Sequence, residues 1–121
     1  MHFLWVFFCG VGLILPLMMI GIGWVFIKRP PKTINTYYGY RTKRSMQTQK
    51  TWAFAHHYIG KLWPKIGIFL LVVTLISLWF IRNLDLNAMS FSVITIIFSQ
   101  LIALLLSIFL TERALKNTFG S

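Results

Sequence analysis

The residues best equipped for specific chemistry lie in one short stretch, Asn35-Thr36-Tyr37-Tyr38-Gly39-Tyr40-Arg41-Thr42, followed by Ser45 and Trp52. Two readings of this stretch stand open. In the first, Asn35, Arg41 and Ser45 form a polar cluster for an anion or a peptide terminus, because the arginine fork is planar, permanently charged and able to hold an acceptor through two N–H groups. Tyr38, Tyr40 and Trp52 then serve as apolar walls, with Gly39 and Thr42 completing the site. In the second, the stretch is a turn that returns the chain to a membrane, with Gly39 at positive φ and Arg41 resting on lipid phosphate.

Other chemistries lack their residues. Asp85 and Glu112 are the only carboxylates, too few for a glycosidase pair, a carboxylate-bridged metal pair or an acid-rich calcium loop. Cys9 is alone, so no internal disulfide or cysteine-rich zinc site is expected. His56 and His57 are sequence neighbours and point in different directions on a helix, whereas helical metal ligands need spacings of three or four. Neither a metal nor a cofactor is expected. Enzymatic activity is not expected either, because no nucleophile and base pair or phosphate-binding loop is present.

The elements that carry these residues follow from hydropathy and charge. The 121 residues are 57% apolar, with 12 Lys and Arg against two acids. Uncharged runs predict spans over about residues 3–27, 62–81 and 88–111. The first run lacks a basic region before it and is too long for a secretory signal, so it reads as a retained helix. Pro16 and the pairs Gly10/Gly12 and Gly21/Gly23 should loosen it. The connection 28–65 holds nine Lys and Arg and no acid. The positive-inside rule therefore predicts that this loop and the C-terminus are cytoplasmic and that the N-terminus and the turn 82–87 are outside.

Within the basic connection, Arg29-Pro30-Pro31-Lys32 ends the first helix. Ser45 is the N-cap candidate for a helix over about 46–62, in which Trp52, Ala55, Ile59 and Leu62 recur at spacings of three and four. The expected fold is an all-α membrane protein: three transmembrane helices with a cytoplasmic interfacial amphipathic helix between spans 1 and 2, and Pro64 at the turn into the second span. On the third span Ser92, Thr95, Ser99, Ala103 and Ser107 form a small-residue stripe suited to helix packing. Gln100 lies beside it and needs an intramembrane partner, for which Thr74 and Ser77 are candidates. Glu112, where the third helix leaves the membrane, is expected to pair with Arg41 or Arg44 and so dock the loop.

The ordered residues Asn35-x-x-x-Gly39-Tyr40-Arg41-Thr42-x-x-Ser45-Met46, then Trp52, Ala55 and Gly60, resemble the signature of the SdpI family of small bacterial membrane proteins. The resemblance implies a multi-pass protein of the bacterial cytoplasmic membrane, of the kind that includes immunity proteins against secreted antimicrobial or cannibalism-type toxins. In the best understood member, the immunity protein also senses the toxin and holds a transcriptional autorepressor at the membrane. Expected partners are anionic lipids of the cytoplasmic leaflet, a toxic peptide or protein, and a homo-oligomeric copy. A different class of function is a scaffold whose basic loop captures a cytoplasmic regulator, and a third is a small oligomeric transporter or lipid-binding subunit. Direct nucleic-acid binding is not expected, because topology already accounts for the loop's charge and lipid is always within its reach.

Overall fold

The computed structural model describes residues 2–120. Three helices make up nearly all of it: α1 (His2–Lys28), α2 (Gln49–Ile81) and α3 (Leu86–Phe119). Each contains a window long and apolar enough to cross a membrane, and among the described residues there is no strand. At about 1.5 Å per residue, the 27 residues of α1 reach across a hydrocarbon core of roughly 30 Å. The 33 residues of α2 and 34 of α3 overshoot it by several turns.

The excess lies at one end, where α1 finishes, α2 begins and α3 finishes. No separate interfacial helix lies between the first two spans. The segment from Gln49 is the first part of α2, and the helix runs through Pro64 without a break. Proline usually ends a helix by removing an N–H and crowding the preceding turn, but here its ring packs onto Gly23 of α1. The expected stripe is buried, with Trp52, Ala55 and Ile59 wholly enclosed, and it faces protein instead of the bilayer surface.

Ser45 does not cap the helix. Thr48 does, through a capping box in which its hydroxyl accepts from the Thr51 N–H while the Thr51 hydroxyl accepts from the Thr48 N–H. Threonine supplies the acceptor that glutamate or glutamine normally provides at the third position.

The core is two apolar clusters separated by polar bridges. Leu78, Ile81, Met89 and Val93 gather at the end of the short α2–α3 turn, with Trp5 and Phe8 against them. Phe26, Tyr40, Ala55, Ile59 and Leu115 gather at the basic end. Between them Gln100 donates through Nε2 to the Gly12 carbonyl at 2.8 Å and to the Thr74 hydroxyl at 2.9 Å. Nearer the basic end, the Trp63 indole N–H donates to the Ser107 hydroxyl at 3.0 Å. Of the residues expected to pack α3, Gln100 and Ser107 are buried and Ala103 is half-buried. Ser99 is the exception: it is exposed and bonds back to the Ile96 carbonyl of its own helix. The packed face runs through Met89, Val93, Gln100, Ser107, Thr111 and Leu115, which coincides with the small-residue stripe only at Ser107.

A loop folded onto the helix ends, and the cavity beneath it

The loop between α1 and α2 folds back onto the first turns of α2. Trp52 donates its indole N–H to the Pro31 carbonyl at 2.7 Å, and Gln49 donates to the Lys32 carbonyl. Asn35 closes the next turn on itself, its side-chain oxygen accepting from the N–H groups of Tyr37 and Tyr38 at 3.1 and 2.6 Å, as an Asx turn does. Gly39 then adopts φ 110°, which lets the chain pass close over α2: a Cβ there would lie 2.6 Å from His56 Nε2 and 3.1 Å from the Trp52 ring.

His56 holds this passage. Its Nε2 accepts from the Tyr40 N–H at 2.8 Å, which leaves the proton on Nδ1 to be donated to the Trp52 carbonyl at 2.7 Å. The imidazole is fully buried, between the rings of Phe26 and Trp52. Burial favours the neutral form and pushes its pKa below the usual histidine value.

Ser45 fixes the following turn. Its hydroxyl donates to the Tyr40 and Thr42 carbonyls at 2.8 and 3.0 Å and accepts from the Thr42 N–H at 2.9 Å. Glu112 of α3 then ties the loop to the third helix: one carboxylate oxygen accepts from Tyr40 Oη at 2.6 Å and from Thr42 Oγ1 at 2.9 Å, while the other lies 3.9 Å from Arg44. Burial and the neighbouring carboxylate raise the Tyr40 pKa, so its phenol stays a donor. Arg44, of the two arginines anticipated for Glu112, is the one that faces it. Arg41 instead donates to the Thr36 carbonyl.

The sequence motif thus divides by position. Asn35 and Ser45 shape the loop from within it, and Trp52 anchors it from α2. Tyr38, Gly39, Tyr40, Arg41 and Thr42 line a cavity of about 770 Å³. Its remaining walls come from α1, chiefly Met18, Ile22 and Phe26, from Trp63 of α2 and from Ile108 of α3. The lining is overwhelmingly apolar, and the loop with its tyrosines and Arg41 roofs it at the basic end. Gly21 also borders it, and a Cβ there would meet nothing within 4 Å.

Two contacts that hold the loop are not visible in the motif. Glu112 docks the loop as its charge led one to expect, but its hydrogen bonds to the Tyr40 and Thr42 hydroxyls, distant in the chain, are revealed by no local pattern. His56 does carry a signal: with Trp52, Ala55 and Ile59 it completes a stripe at intervals of three and four, whereas His57 falls on the exposed face. Among the described residues, no group of three His, Cys, Asp or Glu side chains is placed to hold a metal.

Three antiparallel membrane-crossing helices with a loop locked over a lateral apolar cavity define a multi-pass α-helical membrane protein. More particularly, the chain belongs to the SdpI/YfhL protein family, which its residues 32–111 match. It is 43% identical over 51 residues to the Bacillus subtilis (strain 168) protein described as uncharacterized protein YfhL. That match covers 42% of this chain and 46% of the relative, so it spans less than half the length of the curated protein. No solved structure matches the chain.

Proposed function

We propose that this protein is a membrane-embedded self-protection protein that makes its host resistant to a secreted antimicrobial peptide or protein, by binding rather than by catalysis. Family membership supports the class of function, and the observation that carries the mechanism is the cavity of about 770 Å³ under the loop. A toxin that acts on membranes must expose apolar surface to enter them. The cavity offers such a surface a matching wall inside the bilayer, and the tyrosines and Arg41 at its roof provide polar contacts at headgroup depth. Capture there keeps the toxin from assembling a pore. The nine Lys and Arg of the 28–65 connection favour a cytoplasmic loop and C-terminus, so the toxin is met after it has entered the inner leaflet.

The test is survival of a sensitive bacterial host expressing the protein and challenged with a panel of membrane-active toxins. Gly21 borders the cavity and a Cβ there meets nothing within 4 Å, so Gly21→Leu should fill part of it and cut protection about tenfold or more at unchanged membrane levels, the loss of one well-buried apolar anchor. Protection that survives Gly21→Leu would exclude the cavity, and unchanged killing across the panel would exclude the function. A second reading rests on the loop's uncompensated charge. Only Arg44 faces an acid among the described residues, and the remaining cations suit an acidic cytoplasmic regulator whose binding weakens with salt.

A further inference from the structure

A second groove shares no lining residue with the cavity under the loop. It consists of two recesses that meet at Lys65. The first, of about 330 Å³, is bordered by Phe54, His57, Tyr58, Lys61 and Leu62 of α2. The second, of about 370 Å³, continues between α2 and α3 among Phe69, Leu70, Ala103, Leu106 and Leu110. One end is therefore cationic and the other apolar.

His57, Lys61 and Lys65 follow one another at intervals of four and share one face of α2. Both lysines are exposed. Among the described residues no side-chain carboxylate is free to neutralise them: Asp85 begins α3 at the other end of the bundle, and Glu112 is engaged by Tyr40, Thr42 and Arg44. The charge sits where α2 enters the apolar part of its length, and the apolar recess extends from there along the hydrocarbon-facing turns. A negative head joined to a long apolar chain complements both ends at once.

We propose that this groove binds one anionic phospholipid, its phosphate held by Lys61 and Lys65 with the Tyr58 hydroxyl as a further donor, and an acyl chain lying against Phe69 and Leu106. The site is separate from the toxin-binding cavity, and its occupancy braces α3 against α2 where Ala103 leaves the interface thin.

The experiment uses the full chain purified in mild detergent and follows its thermal unfolding midpoint on titration with dioleoylphosphatidylglycerol, dioleoylphosphatidylcholine or inorganic phosphate. Phosphatidylglycerol should raise the midpoint at lower concentration than phosphatidylcholine, and inorganic phosphate should leave it unmoved. The double variant Lys61→Gln/Lys65→Gln should bind phosphatidylglycerol about tenfold more weakly, while Lys28→Gln/Arg29→Gln, with the same charge removed at the same end, should stay within about twofold. Lys61→Arg/Lys65→Arg should keep the preference and so shows that the glutamine pair acts through charge and not through misfolding. Equal loss in the two glutamine pairs would overturn the site in favour of diffuse attraction. No preference between the two lipids, or a shift reproduced by inorganic phosphate, would overturn it as well.

Discussion

Gly39 and His56 are matched in a way that constrains both. The glycine's φ of 110° brings its backbone so near the imidazole that any side chain would collide with Nε2. Gly39→Ala combines a strained conformation with that collision and should destabilise the protein by about 2–4 kcal/mol, read as a lower unfolding midpoint in detergent. The positive φ was legible in the sequence, because a glycine between tyrosines in a turn has little other use. The histidine's role was not, since nothing local distinguishes His56 from His57 until the helical stripe is drawn. His56 also fixes a pH dependence. Its folded-state pKa is lowered by burial, so the folded protein binds fewer protons than the unfolded chain, and stability is full above the ordinary histidine value of about 6.5 and falls as pH drops below it. Protonation would set an N–H on Nε2 against the Tyr40 N–H. Unfolding midpoints measured from about pH 7.5 down to about pH 5 should decline in the wild type and be markedly flatter in His56→Gln. An unchanged slope would mean that other groups control the acid limb.

Among the helices, the arrangement that reaches furthest links Pro16, Gly12 and Gln100. Pro16 has no N–H, so the Gly12 carbonyl four residues earlier loses its helical donor, and Gln100 of α3 supplies one at 2.8 Å while also donating to Thr74. A buried carbonyl in an apolar surround is costly to leave unpaired, which explains why a glutamine is retained in the middle of an apolar helix. Gln100→Leu should cost about 1–2 kcal/mol. The cycle is informative: in a Pro16→Ala background the Gly12 carbonyl regains its own helical partner, so the same Gln100→Leu change should cost less by about 1 kcal/mol. Ser99→Leu, on the exposed face, should be close to neutral. Additive effects of Pro16→Ala and Gln100→Leu would sever this link. Sequence alone placed the three apolar runs, and it nominated Thr74 as a partner for Gln100, because length and hydropathy decide what crosses a membrane. It misjudged Pro64 because the ring's acceptance depends on Gly23 across the interface, and it could not tell that Ser99 faces away from α1 and α2, because that depends on how α3 is turned.

Over the whole molecule, the two ends differ in every respect that matters for function. At one end a short turn joins α2 to α3, and its single cation, Arg82, lies 3.7 Å over the Trp79 ring. At the other end the folded loop, the cavity roof and Lys61 and Lys65 gather together. Transfer of the loop's nine cations across a bilayer during insertion is opposed by the membrane potential as well as by desolvation, at roughly 2.3 kcal/mol per charge for each 100 mV. That difference predicts an orientation with the loop inside. It can be read directly by cysteine labelling, since Asn83 on the turn and Lys43 on the loop are both exposed and Cys9 is the only native thiol. In a Cys9→Ser background, Asn83→Cys should react with a membrane-impermeant maleimide in intact cells, and Lys43→Cys should react only after the membrane is opened. The opposite pattern would place the loop, and with it the cavity roof, outside.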